Sequence, residues 1–250
     1  MGAPTRAVRV IGSGRAGGSF AAALSGAGWS VELLDRGAAV GTTAEGADLV
    51  LLCVPDAAVA AAAAAVRPGP AVVAHCAGSL GLDVLDPHDR RASVHPLVAL
   101  PTAEVGARRL RGAWFATAGD PSSVGVVDDV VAALGGRAVE VPDGARTSYH
   151  AAAVVASNHL VALLGQAGRI AAAAGVPLEA FLDLARASLD NVAALGPADA
   201  LTGPVSRGDW DTVRRHVAEL EPSERGAYLA MVGEAARLAG RPVPGDLAAR

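Results

Sequence analysis

Up to Val141, short apolar bursts alternate with stretches whose apolar positions recur every three to four residues. The bursts at 7–11, 30–35, 48–54, 71–76, 92–95, 113–117 and 137–141 predict β-strands, and the helical patterns at 16–26, 56–66 and 121–135 predict helices between them. Alternation of this kind is the signature of βα units on a parallel sheet. The run Leu49-Val50-Leu51-Leu52-Cys53-Val54 is apolar throughout, as expected of a strand covered by helices on both faces.

From Asp143 onward the pattern is helical only. One long run spans 145–174 and stops at Gly175 and Pro177, and further helices fit 178–194, 209–220 and 223–239. The expected fold is therefore α/β, a Rossmann doubly wound parallel sheet over residues 1–142, followed by an all-α helical domain over 143–250. A helix of ~30 residues reaches ~45 Å, more than a small domain needs for its own core. Its alanine, valine and leucine face predicts a homodimer built on the helical half.

Composition narrows the setting. The 250 residues carry a net charge of −4, with the charges scattered, so no nucleic-acid surface is expected. The longest uninterrupted apolar run, Ala57 to Val66, falls far short of the ~20 residues of a membrane span, and no secretory leader is visible. A cytoplasmic protein that does not engage a membrane is expected. The two cysteines, Cys53 and Cys76, sit at the ends of strands and read as small core residues. Every basic residue is arginine, which with the alanine excess fits a GC-rich bacterial genome. It also excludes a lysine Schiff base, a lysine general acid and a P-loop lysine.

The first strand runs into Gly12-Ser13-Gly14-Arg15-Ala16-Gly17, a G-x-G-x-x-G turn that opens a helix. Gly12 permits the tight turn, Gly14 lets backbone approach a pyrophosphate, and Gly17 lets the helix pack on the sheet. The second strand ends at Asp35, at the distance where a carboxylate meets the adenosine ribose. The neighbouring Arg36 suits a 2′-phosphate, so NADP and NAD both remain open. Ligands of such sheets lie beyond the carboxyl ends of the strands, which adds Val54, Pro55 and Asp56 to the cofactor site.

The same edge carries His75, Ser79 and His95. Hydride transfer to a carbonyl or imine needs a group that handles a proton, and histidine is the best suited type where lysine is absent. On the long helix His150 and Ser157 are seven apart and so share a face, with Asn158 and His159 beside them. Ser79, His95, His150, Asn158 and His159 are the candidate catalytic or substrate-contacting residues. Thr202, Ser206 and Arg207 could meet an anionic substrate, while Asp209 reads as a helix N-cap. His88 and His216 stand in charged surroundings and read as solvated. No metal-ligand spacing is present.

The stretches GSGRAGG, LLCVPD, AHCAGSLG, SVHPL, YHAAAVVASNHL and ALTGPVSRGD, in this order, resemble the bacterial Rossmann-like proteins with a C-terminal domain of unknown function, DUF2520. The resemblance covers nearly the whole chain. It implies an NAD(P)-binding domain similar to those of pyrroline-5-carboxylate reductase and F420-dependent NADP reductase. It also implies a helical domain similar to that of 6-phosphogluconate dehydrogenase, usually in a dimer, and raises ketopantoate reduction as a reaction. Ketopantoate reductases and β-hydroxyacid dehydrogenases use a lysine acid that this chain lacks. Gly78-Ser79 and His95-Pro96 are similar in placement to the Gly-Ser turn and His-Pro motif of prephenate dehydrogenases, which nominates His95 for proton transfer and Ser79 as its helper. The expected function is an NAD(P)-dependent oxidoreductase acting between the two domains on a small carboxylate-bearing keto or imino compound. The alternatives are a non-catalytic NAD(P)-binding regulatory or scaffold protein and, more weakly, a methyltransferase.

Overall fold

The computed structural model describes residues 6–35 and 44–248. Among them seven strands form one sheet in the order β2-β1-β3-β4-β5-β6-β7. The strands are β1 (Ala7–Ile11), β2 (Ser30–Leu34), β3 (Leu49–Leu52), β4 (Val72–His75), β5 (Arg91–Pro96), β6 (Trp114–Gly119) and β7 (Arg137–Glu140). Each lies on a burst expected from the sequence. The central strands β3 and β4 are buried at every position, whereas β7 at the edge is exposed at every position. Helices α1 (Arg15–Gly26), α2 (Val59–Ala65), α3 (Ala103–Leu110) and α4 (Val124–Ala133) accompany the sheet. Two apolar clusters form around it, one with Phe20, Leu24, Leu51 and Phe115, the other with Ile11, Leu52, Val59 and Leu85.

The sheet departs from the all-parallel expectation at one place. β5 pairs antiparallel with β6, with Val94 opposite Thr117 and His95 opposite Ala116. The unforeseen helix α3 explains this. It is capped by the Thr102 hydroxyl, which accepts from Val105 N–H at 3.2 Å, and it packs on α1 instead of crossing the sheet. A Cβ on Gly106 would strike Ser19 Oγ, and one on Gly18 would meet Ala103 Cβ at 2.9 Å, so the two helices touch through small residues. Leu97 N–H then bonds to Trp114 carbonyl at 2.8 Å, and the chain re-enters the sheet at the edge it left. A parallel return would need a full crossover.

The chain divides into two compact units, Met1–Ser157 and Asn158–Arg250. The helical run begins with α5 (Arg146–Val154), passes through a π-helical turn (Val155–His159) and continues as α6 (Leu160–Ala173). It is followed by α7 (Leu178–Leu195), the short α8 (Pro197–Ala200) and α9 (Pro204–Arg207), α10 (Trp210–Glu219) and α11 (Pro222–Leu238). Val205, Val213, Val232, Ala236 and Leu247 form a small buried cluster here. Asp209 caps α10 through Thr212 N–H at 3.1 Å, as its position suggested.

Two sequence expectations change. By length and mean hydropathy the run Asp143–Ala173 would reach across a bilayer, although no uninterrupted apolar segment does. It is tied to protein by Arg146, which donates to Ser93 Oγ, and by Arg169, which pairs with both oxygens of Glu224 at 2.6 and 3.1 Å. His88 is buried, not solvated, because its Nε2 bonds the Ala63 carbonyl at 2.9 Å at the end of α2. His216 is indeed exposed, and its Nδ1 meets Tyr228 Oη at 2.7 Å. Arg36 lies outside the described residues.

Candidate functional site

The carboxyl edge of β1 carries the glycine turn. Gly12 has φ of +108°, and a Cβ there would come within 2.5 Å of the Cys53 carbonyl. A Cβ on Gly17 would lie 1.8 Å from Gly12 O, so only glycine lets α1 start so close to the strand. Gly14 differs from both. It caps α1 with φ of −69°, and no described atom lies within 4 Å of where its Cβ would stand. Packing therefore gives no reason for a glycine there. An open approach to bare backbone at a helix N-terminus, with unpaired N–H groups, fits the phosphates of a dinucleotide.

From this turn a cleft of about 630 Å³ extends along the sheet edge. Gly12, Ser13, Gly14, Arg15 and Ala16 line one side, and Cys53, Val54, Pro55, Cys76, His95 and Pro96 continue it over the ends of β3, β4 and β5. Seven of the predicted cofactor residues, Gly12 to Ala16 with Val54 and Pro55, thus share one concavity with His95. Asp35 is exposed just past the end of β2, and Gly17 packs beneath the turn. Asp56 stands just beyond Pro55, where its Oδ2 accepts from Ser79 Oγ at 3.1 Å.

Beside the cleft the structure gathers a polar cluster on the first compact unit. Tyr149 Oη and His95 Nδ1 are 2.7 Å apart. The His150 ring stands edge-on to His95 at 5.9 Å between centroids. Gly78 lies against both rings, since a Cβ there would sit 2.5 Å from His150 Cδ2 and 3.0 Å from His95 Nε2. Below them His75 and Ser93 are register partners on β4 and β5, both fully buried. His75 Nδ1 accepts from Ala77 N–H at 3.2 Å, which leaves its Nε2 to donate to the Gly81 carbonyl at 3.1 Å. That pairing specifies a neutral ring.

Arg146 is fully buried at the start of α5. Its Nη2 donates to Ser93 Oγ, and its Nε lies 3.4 Å from Asp143 Oδ1. Nε and Nη1 find no hydrogen-bond partner among the described residues. Asp143 is itself held, with its other oxygen accepting Leu82 N–H at 2.9 Å. A buried guanidinium with spare donors acts on its neighbours through its charge. Burial, the His150 ring and Arg146 together push His95 down to about 4. Burial lowers His75 and raises Tyr149 in the same surroundings. His95 is therefore a neutral imidazole near pH 7, suited to accept a proton or share a hydrogen bond.

Ser79, His95 and His150 come together on this unit. Asn158 and His159 belong to the other, and both are exposed. A π-helical turn, Val155–His159, follows His150 and adds a residue to its turn, so the spacing of a regular helix does not hold through it. Burial does not constrain Ser157, Asn158 and His159, because all three are exposed, and Ser157 Oγ bonds back to Ala153 O at 2.7 Å. In the 201–209 loop Ser206 Oγ is used internally, donating to Gly203 O at 2.9 Å, while Thr202 and Arg207 are exposed. Sequence reasoning missed Tyr149, Arg146, Asp143 and Ser93. Tyr149 adjoins His150 and could have been noticed as one of two tyrosines in the chain. Nothing local marks Arg146 as the arginine that is buried.

Comparisons with known proteins follow this geometry. Residues 113–235 match a domain of unknown function (DUF2520), and residues 33–101 match a Rossmann-like domain. No curated protein matches by sequence. Among solved structures, a candidate NADP oxidoreductase of Bacteroides fragilis superposes with a TM-score of 0.77 at 20% identity, covering 93% of this chain and 98% of its own. Protein TM1727 of Thermotoga maritima gives 0.73 at 24% identity over 93% and 98%. The pyrroline carboxylate reductase of Plasmodium falciparum, with NADP bound, gives 0.63 at 12% identity over 95% and 100%. At these identities the likeness establishes a shared fold.

Proposed function

We propose that this chain, a Rossmann-like domain joined to a DUF2520 domain, is an oxidoreductase that moves a hydride between a nicotinamide dinucleotide, NADP or NAD, and a small carboxylate-bearing keto or imino compound. One observation carries the reading: a glycine turn whose Gly14 answers to no packing demand opens into the same cleft as a neutral histidine held by a tyrosine. The solved structures of the same fold described as NADP oxidoreductase and as pyrroline carboxylate reductase with NADP bound support it.

The dinucleotide would supply or accept the hydride. Gly12 to Ala16 and the N-terminus of α1 would hold its pyrophosphate, and Asp35 would meet the adenosine ribose. His95 handles the proton. Nδ1–H donates to Tyr149 Oη, which places the ring and leaves Nε2 as the unprotonated nitrogen of the neutral form. In substrate oxidation the neutral ring takes the hydroxyl or amine proton as the hydride departs, and in reduction it returns that proton. Ser79, whose hydroxyl donates to Asp56, would bind a substrate oxygen. The dimer expected from the helical half belongs to this reading, and exposed Val161, Leu184, Leu189 and Leu195 on α6 and α7 support it.

Thermal unfolding with NADPH, NADP, NADH and NAD at millimolar levels tests the first half. Ligand at 100 times its Kd stabilises by about 2.7 kcal/mol, which shifts the transition visibly. No shift with any of the four overturns the proposal. With binding in hand, a panel of keto acids and cyclic imines is followed through nicotinamide absorbance. Binding without turnover, together with indifference to His95→Ala, would instead identify a non-catalytic binding protein.

A further inference from the structure

The chain holds two cysteines in all, 23 positions apart in sequence, and the fold sets them side by side. Parallel pairing of β3 and β4 places Leu52 against His75, so the next residues, Cys53 and Cys76, leave the sheet together. Their sulfur atoms are 3.6 Å apart. Both residues line the cleft, and Cys53 lies against the glycine turn. Small core residues need no such approach, and the mechanism above uses neither thiol.

We propose that Cys53 and Cys76 form a reversible dithiol–disulfide site in the wall of the cleft, oxidised by a hydroperoxide. A disulfide has an S–S bond of about 2.05 Å, so the sulfurs need to close by about 1.5 Å, a movement within reach of side-chain rotation. The two thiols are not equivalent. Cys53 is buried, and its pairing with the Cys76 thiol and its burial push its own thiol up. Cys76 is half-buried and reachable from the cleft. Cys76 is therefore the attacking thiol and Cys53 the resolving one.

The chemistry balances in two steps. The Cys76 sulfur attacks one peroxide oxygen: an S–O bond forms, the O–O bond breaks, and the thiol proton leaves with the other oxygen as water (or as an alcohol from an organic peroxide). The Cys53 sulfur then attacks the Cys76 sulfenic acid, forming the S–S bond and breaking the S–O bond, while the Cys53 proton departs in a second water. Two thiols lose two electrons and the peroxide gains them. A dithiol reductant reverses the result. Resting on the dinucleotide reading, a bound dinucleotide would cover Cys76 and slow the reaction.

The test uses the full chain treated with hydrogen peroxide, quenched in acid, then alkylated under denaturing conditions and weighed. The expected product lacks two hydrogens, takes no alkyl group, yields one peptide pair joining Cys53 to Cys76, and recovers both thiols after dithiothreitol. Cys53→Ser should instead collect oxygen irreversibly on Cys76. Two alkylatable thiols after treatment, oxygen added to Cys76 beside a free Cys53, or a bridge between chains would each overturn the proposal. Repeating the reaction with NADP at millimolar concentration separates the two readings. A roughly tenfold slower oxidation is expected from occupancy near saturation. An unchanged rate with the bridge still forming would count against the dinucleotide site and leave the dithiol in place.

Discussion

The edge of the sheet and the helices beyond Asn158 treat polarity in opposite ways. At the sheet edge polar groups are buried: His75, Ser93 and Arg146 have no exposed surface, and His95 is held among Tyr149, His150 and Gly78. On α6 and α7 apolar groups are exposed, with Val161 at 71%, Leu184 at 62% and Leu195 at 58%. Burying polarity is unfavourable without a partner, and exposing large apolar groups forgoes the hydrophobic contribution of burial. Under the proposed function the first serves chemistry and the second assembly.

The largest effect should come from the sheet edge. His95→Ala should lower turnover about 10²–10⁴-fold with dinucleotide affinity kept, read by steady-state kinetics and calorimetry. Unchanged turnover would remove the cluster from the mechanism. Tyr149→Phe leaves the imidazole in place and should cost less, about tenfold, as the loss of one hydrogen bond in a partly buried site.

The glycines sharpen the comparison within the turn. Gly17→Ala meets Gly12 O and should destabilise the fold by about 3 kcal/mol in denaturant titration. Gly14→Ala adds a Cβ that meets no described atom. It should leave the unliganded transition nearly unmoved while abolishing the stabilisation by dinucleotide. If both variants behaved alike, Gly14 would be a structural glycine and the cofactor reading would lose its support.

On the helical side, Leu184→Asp combined with Leu195→Asp should reduce the mass in light scattering from twice 24.7 kDa to that of one chain. A wild-type monomer at micromolar concentration would end the assembly argument.

The smallest effect is a slope of stability with pH. His95 titrates at about 4 in the folded chain against 6.5 when free, and burial lowers His75 as well. The unfolded chain therefore binds more protons between these values. Stability should be full above about 6.5 and fall as pH drops toward about 4. His95→Gln should flatten part of that slope. The activity of the oxidation direction should fall only near pH 4, where the ring of the folded chain takes up its proton.

Much of the fold was legible along the chain. Each strand announced itself as a burst because a sheet covered by helices needs runs of apolar residues, and Gly12 and Gly17 stood where the turn required them. The helix at Ala103–Leu110 was not legible, because Gly106 and its charged neighbours hide the pattern that its contact with Ser19 makes useful. The π-turn was equally invisible, since Val155–His159 reads as ordinary helix until its hydrogen bonds shift. For the site, His95 and Ser79 could be proposed from their place after strands. Tyr149 and Arg146 could not be assigned, because their partners lie 54 and 53 residues away.

By itself, the sequence determined the alternation of elements, the glycine turn, the absence of lysine chemistry and the histidines available to replace it. These are local matters, set by periodicity, by backbone sterics and by which side chains exist. Only the tertiary structure decided that β6 runs backwards, that Arg146 is buried against Ser93, and that His95 is neutral. Those depend on which distant residues meet. A side chain's charge and proton affinity are properties of its surroundings, and the surroundings are assembled only when the sheet closes over them.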